Sequence, residues 1–224
     1  MQHRRVSDLM SRHVVTARYD TPFKEIARLL TENEITALPV VDDGGRPIGV
    51  VSEADLLRKA SDQPGIGEKV PLPPLEAWER AKAQGTRAEE LMSAPAVCAR
   101  PDWNVIEAAQ LMEVQRIKGL PVVDDTDRLL GVISRRDLLR VFLRKDDAIR
   151  EEIEVDILQQ TMGLAPAQVS VAVRDGRVDL HGVIETRSLI PIIVRLCQSV
   201  DGVVSVSDRL SFQVDDVGHT PFAA

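Results

Sequence analysis

The apolar positions of this chain set out one short pattern, and then set it out again. Phe23, Ile26, Ala27 and Leu30 fall at i, i+3, i+4 and i+7, which marks one buried stripe of a helix. Thr21-Pro22 opens that helix, Thr as the cap and Pro where no backbone donor is needed. Before it, Val14–Ala17 is a short β-rich run. After it, Ala37–Val41 and Pro47–Val51 read as strands on either side of the turn Asp43-Gly-Gly-Arg46. Ser52 then begins a second helix that runs to about Ala60. The predicted order is strand, helix, strand, strand, helix. The same elements follow at an offset of 82 residues, with Val105, Ala108, Ala109 and Met112 forming the helix stripe.

The two copies match in letters as well as pattern. Leu38-Pro-Val-Val-Asp-Asp43 and Gly49-Val-Val-Ser-Glu-Ala-Asp-Leu-Leu-Arg58 return as Leu120-Pro-Val-Val-Asp-Asp125 and Gly131-Val-Ile-Ser-Arg-Arg-Asp-Leu-Leu-Arg140. Between residues 9–58 and 91–140, 25 of 50 positions are identical. One supersecondary unit has been made twice, so function is sought between the copies.

Residues beyond the repeats follow a different order. Asp147–Gly163 is predicted as a helix with Ile149, Ile153 and Ile157 every four residues and Gly163 as its stop. Gln168–Val173 and Arg177–Val183 alternate around Arg174-Asp-Gly-Arg177, a hairpin signal. A helix from about Ser188 tolerates Pro191 in its first turn and ends at Asp201-Gly202. Val203–Phe212 supplies a last strand, giving α-β-β-α-β. The domains expected are repeat 1 (1–60), a linker (61–86), repeat 2 (87–145), the small C-terminal domain (146–214) and a frayed tail (215–224). The linker holds Pro71-Leu-Pro-Pro74 and a short amphipathic helix, Leu75–Gln84. Its Trp78 has two readings, a packing anchor or a ligand-stacking ring.

Charge narrows the partners. Residues 146–224 hold 6 basic and 13 acidic side chains and so carry the entire net charge of −7. That sign argues against nucleic acid as a partner and weakens attraction to anionic lipid. Apolar runs such as Leu189–Val194 are too short to span a bilayer, and the basic start MQHRRVSDLM lacks the apolar core of a secretory signal. Cys98 and Cys197, without metal spacing, fit free thiols in a reducing cytoplasm.

Ser52-Glu-Ala-Asp55 and Ser134-Arg-Arg-Asp137 each open a helix after a strand, and the spacing leaves two readings open. One is a capping box, the Ser oxygen accepting a backbone N–H and the acid reaching back. The other uses the unpaired donors and positive dipole end of a helix N-terminus to hold phosphate. The copies differ inside the motif. Arg135 and Arg136 stand where the first has Glu53 and Ala54, and guanidinium forks suit phosphate. The Asp137 site is therefore expected to bind a phosphorylated ligand better than the Asp55 site.

The Leu-Pro-Val-Val-Asp strand, Gly turn and Gly-Val-Val/Ile-Ser-x-x-Asp-Leu-Leu pattern resembles the CBS domain, and the tandem resembles a Bateman module over about residues 6–142. The resemblance implies a pseudo-two-fold pair of β-α-β-β-α units, α/β in class, that dimerises again as a homodimer. It also implies that AMP, ADP, ATP or S-adenosylmethionine binds in the clefts, with no cofactor required. In that reading Ser52 and Ser134 touch phosphate, and Asp55 and Asp137 accept ribose hydroxyls. Thr16 with Ala37, Leu38 and Pro39 lines one adenine slot, and Cys98 with Gly119, Leu120 and Pro121 lines the other. Cys98 stands where the family often has Thr, and plain core packing is an equal reading for Leu38 and Leu120. Val178-Asp-Leu-His-Gly-Val183 and Val200-Asp-Gly-Val-Val-Ser-Val-Ser-Asp-Arg-Leu210 resemble the BON domain, an α+β fold, over roughly residues 146–214. That family carries a proposed phospholipid role, and the acidic copy here carries the fold over more readily than the lipid contact. Gly182 reads as a close-packing position and His181 as a surface strand residue.

Nothing points to catalysis. His3, His13, His181 and His219 are scattered, and no nucleophile elbow, P-loop or Rossmann motif occurs. Two functions from different classes remain. The first is a cytoplasmic adenine-nucleotide sensor read out through the BON domain or an unknown protein target. The second is a constitutive dimeric scaffold whose BON domain docks a protein or a membrane surface.

Overall fold

The computed structural model describes residues 4–61, 82 and 84–217. The Pro71–Pro74 stretch, Trp78, most of the linker helix and the end of the tail lie outside these residues. The chain forms two compact units, Arg5–Arg135 and the residues from Arg136 onward together with Arg4.

The first unit holds α1 (Val6–Leu9), β1 (Ala17–Arg18), α2 (Phe23–Glu32), β2 (Ala37–Val41), β3 (Pro47–Ser52), α3 (Glu53–Ser61), α4 (Ala88–Leu91), α5 (Val105–Val114), β4 (Gly119–Val123) and β5 (Leu129–Ser134). β1 runs parallel to β2, and β2 pairs antiparallel with β3. β4 and β5 repeat the antiparallel pair in the same register, Leu38 facing Val51 and Leu120 facing Ile133. The α2 stripe packs as its spacing requires, with Ile26 and Leu30 buried against Leu38, Val40, Val51 and Leu91, and Phe23 and Ala27 at its margin.

Three local expectations are corrected. Thr21 is not the cap of α2, because Pro22 holds that position and Thr21 Oγ1 accepts from Arg18 N–H at 2.8 Å. The second copy does have a capping box, built from Asn104 and Glu107. Ala109 is exposed, so the stripe of α5 is Val105, Ala108 and Met112. The first strand is short, and its second copy contributes a single bridge between Ala99 and Val122.

The copies are stitched together by reciprocal contacts. Ser11 and Val132 exchange two backbone hydrogen bonds at 2.9 and 3.0 Å, and their counterparts Ser93 and Val50 do the same. Each glycine that opens the Gly-Val-Val/Ile-Ser motif faces the methionine of the other copy. A Cβ on Gly49 would lie 2.4 Å from Met92 Sδ, and one on Gly131 would lie 2.8 Å from Met10 Sδ. The motif needs glycine because two backbones and a thioether close over the same space.

The second unit begins with α6 (Arg135–Leu139, shared with the first) and a 3₁₀ turn (Arg140–Leu143). Then come α7 (Asp146–Glu152), a π-helical continuation (Ile153–Thr161), β6 (Val169–Arg174), β7 (Arg177–Thr186), α8 (Leu189–Gln198) and β8 (Ser205–Val214). Ile149, Ile153 and Ile157 are buried with Val171, Leu180, Ile184 and Ile193. The change to π geometry, seen in the Met162 N–H to Ile157 carbonyl bond, was not foreseen. A strict four-residue step outruns the 3.6-residue turn, and a wider turn reduces that drift.

β6 and β7 close through Asp175 and Gly176, both at positive φ, the two-residue hairpin predicted. Asp146 holds that turn by accepting both of its N–H groups, at 2.8 and 2.9 Å. β8 starts at Ser205 rather than Val203 and lies parallel to β7. Gly182 is a close-packing position, since a Cβ there would meet the Gln168 carbonyl oxygen at 2.4 Å, and His181 is exposed. Burial alone pushes the Cys197 thiol up to about 12. No helix among the described residues is long and apolar enough to cross a membrane.

Candidate ligand cleft in the paired repeats

β3 carries the chain out of the first sheet and α3 begins at once, which sets Ser52 and Asp55 at the same end of the pair. They border a cleft of about 320 Å³ in the first unit. Its first-repeat side is Thr36, Ala37, Val50, Ser52, Asp55 and Arg58. Facing them from the second repeat are Ser93, Pro95, Ala96, Val97 and the segment Arg116–Gly119. Pro95–Val97 form an apolar stretch, while hydroxyls, the carboxylates of Glu53 and Asp55, and cations from both repeats line the remainder. A flat ring with a polar substituent fits that division.

Asp55 is 4% exposed and fully engaged. Its Oδ2 accepts from Ser52 N–H at 2.9 Å and from Ser52 Oγ at 2.6 Å. Its Oδ1 accepts from Arg58 Nη1 at 2.8 Å and Lys82 Nζ at 3.1 Å. Lys82 Nζ also donates to Ser93 Oγ at 2.8 Å and so ties the first repeat to the second. The acid half of the capping box is therefore present. The serine half takes another form, because the hydroxyl donates to the carboxylate.

The helix ends opposite are shaped alike in both copies. Glu34 and Arg116, at equivalent positions, have φ of 52° and 53°. The N–H groups of Ile35 and Ile117 reach back to Leu30 and Met112, closing each helix in a Schellman arrangement. This turn delivers Thr36 and Ala37 from one copy, and Arg116 and Lys118 from the other, to the cleft.

Among the residues named from sequence, Ala37, Ser52, Asp55 and Gly119 border the cleft. Leu38 and Leu120 are wholly buried and Pro39 and Pro121 lie buried beside them in β2 and β4, so their visible role is core packing. Thr16 is half-buried just before β1, outside the lining. Cys98 is half-buried with Sγ 3.7 Å from the Ala96 carbonyl oxygen; burial, then the charge of Asp127, pushes its thiol up.

In the second copy, Ser134 ends β5 and Asp137 is buried in α6, with Arg140 Nη1 3.7 Å from its Oδ1. Arg136 is exposed. Arg135 directs its guanidinium to the carbonyls of Ile117 and Met112, at 3.0 and 3.3 Å.

Sequence reasoning missed Arg58, Lys82, Ser93, Arg116 and Lys118. The offset contained a signal for Ser93, the counterpart of Ser11 in the paired Leu-Met-Ser motifs. No such signal exists for Lys82, which lies outside both copies. No group of three or more His, Cys, Asp or Glu able to hold a metal occurs among the described residues.

Comparison with known proteins agrees with this architecture. The CBS domain family matches residues 6–62 and 88–144, and the BON domain family matches residues 145–213. A CBS domain-containing protein of Dictyostelium discoideum, DDB_G0289609, is 34% identical over 139 residues, which cover 62% of this chain and 91% of that protein. The crystal structure of CBSX2 in complex with AMP is similar at a TM-score of 0.53 and 27% identity, over 62% of this chain and 96% of that one. The CBS domain pair of MJ0100, in complex with 5′-methylthioadenosine and S-adenosyl-L-methionine, is similar at 0.51 and 26%, over 63% and 97%. With two matched repeats spanning just over half its length, a pseudo-two-fold between them and an α-β-β-α-β unit after them, this chain belongs to the CBS-domain family and ends in a BON domain.

Proposed function

We propose that this protein is a regulatory module that binds an adenosyl ligand in the Asp55 cleft and passes its occupancy to the BON domain or to a partner chain. The observation that carries the reading is a buried carboxylate in a cleft lined by both repeats, with an apolar stretch at Pro95–Val97. A ribose diol suits the acid, the ring suits Pro95–Val97, and the start of α3 with Arg58 suits phosphate. The AMP held by CBSX2 and the adenosyl pair held by MJ0100 support the same ligand class. Because ligand bound in this cleft touches both repeats, it favours whichever arrangement of them fits it better, and that difference in affinity is the signal. The homodimer through the repeats belongs to this proposal, and Leu57, 66% exposed on α3, is an apolar position that a second copy would cover.

Thermal unfolding with AMP, ADP, ATP and S-adenosylmethionine, with mass spectrometry of ligand released from purified protein, tests the reading. A ligand at a hundred times its Kd adds about 2.7 kcal/mol to the native state, and the shift saturates. No shift with any of the four, and no released nucleotide, would leave the scaffold reading in its place.

A further inference from the structure

The charges that line the cleft are unevenly placed. Asp55 and Arg58 of the first repeat are bonded to each other, so they cancel locally. Of the rest, the second repeat supplies two cations, Arg116 and Lys118, and the first repeat one carboxylate, Glu53. All three side chains are exposed, and among the described residues none of them forms an ion pair or a side-chain hydrogen bond. The two cations belong to the second copy alone. At the offset of 82 their counterparts are Glu34 and Thr36, and Glu34 does not line the cleft.

The turn that ends α5 sets both cations in place. With Arg116 at a φ of 53° and the Ile117 N–H bonded back to Met112, the chain reverses and Lys118 follows Arg116 into the same lining. Neither side chain has to leave a protein partner in order to meet a ligand. Like charges set along one cleft focus their field there, since its walls keep out part of the screening water. A chain of phosphates offers separate oxygens to the Arg116 fork and to the Lys118 point charge, where a single phosphate offers one group to both. Glu53 acts on the same oxygens in the opposite sense.

We infer that Arg116 and Lys118 grade adenine nucleotides by their number of phosphates, so that the cleft prefers ATP to ADP and ADP to AMP. This rests on the adenosyl reading above and names the end of the ligand that decides affinity.

Isothermal titration of the full chain with AMP, ADP and ATP, without divalent cations, tests it in wild type, Arg116→Gln, Lys118→Gln, the two combined, and Glu53→Gln. Wild type is expected to bind ATP at least about tenfold more tightly than AMP, the worth of one charge-assisted hydrogen bond. Each single cation variant loses part of that ratio, and the double variant brings it to within about threefold of one while changing AMP affinity least. Glu53→Gln raises the ratio, and added salt lowers it in wild type. Equal affinities for AMP and ATP in wild type overturn the assignment, and so does an unchanged ratio in the cation variants with wild-type melting midpoints. Both results leave the adenosyl site standing. If none of the three nucleotides binds, the grading falls, and S-adenosylmethionine titrated alongside decides whether the adenosyl reading falls with it.

Discussion

The two repeats carry the same Ser-x-x-Asp motif with different residues around it. Asp55 accepts from the chain, from an arginine one helical turn on and from a lysine that belongs to neither copy. Asp137 has the equivalent arginine, Arg140, at a looser 3.7 Å, and position 82 has no counterpart within the second repeat. Inside the motif the copies differ by Arg135-Arg136 against Glu53-Ala54, and Arg135 donates to the carbonyls of Ile117 and Met112. The copies share one scaffold, and Lys82, from outside the duplicated stretch, bonds to Asp55 of the first and Ser93 of the second.

The largest effect that would sharpen this comparison is on stability. Gly131→Ala is expected to cost about 3 kcal/mol, because the new methyl group meets the Ser11 carbonyl oxygen as well as Met10. For Gly49→Ala the three nearest atoms all belong to the Met92 side chain, whose end can turn aside, and the expected cost is nearer 1 kcal/mol. Denaturant midpoints decide it, and equal losses would show that the two seams yield alike. Next comes binding. Asp55→Asn should weaken the adenosyl ligand about thirtyfold, roughly 2 kcal/mol, and Asp137→Asn less than threefold. Equal losses by titration would show that the two motifs contribute alike to binding. The smallest effect concerns the two left-handed helix ends. Glu34→Gly and Arg116→Gly should each raise stability by about 0.5–1 kcal/mol, since glycine adopts that φ without strain. Only Arg116→Gly should also weaken an anionic ligand, and a matched loss in Glu34→Gly would argue against a direct role for Arg116.

Much of the fold could be read from periodicity. The α2 stripe, the paired β2 and β3 runs and the Asp175-Gly176 hairpin each obey a local rule that the rest of the structure leaves unopposed. The exceptions have local causes. Thr21 was free to cap α2 but bonds backward to Arg18, and the strict four-residue isoleucine step favoured a wider turn that propensity does not encode. The cleft was less legible than the elements that build it. Ala37, Ser52, Asp55 and Gly119 were identified, yet each adenine slot was assembled from a single copy. The structure sets Asp55 in one cleft with Pro95–Val97 and Arg116–Gly119, a juxtaposition that needs the pseudo-two-fold to be seen. Lys82 had no repeat partner, motif or period to announce it.

The reciprocal bonds of Ser11 with Val132 and of Val50 with Ser93 bear on the origin and the indivisibility of the pair. Each copy finishes the edge of the other, so neither half alone has a complete outline. Two molecules of a single repeat, related by a true two-fold, could satisfy the same bonds, and within one chain the two halves form a permanent pair. Once the halves no longer had to be identical, a residue of the segment joining them, Lys82, could bond to Asp55 of one and Ser93 of the other.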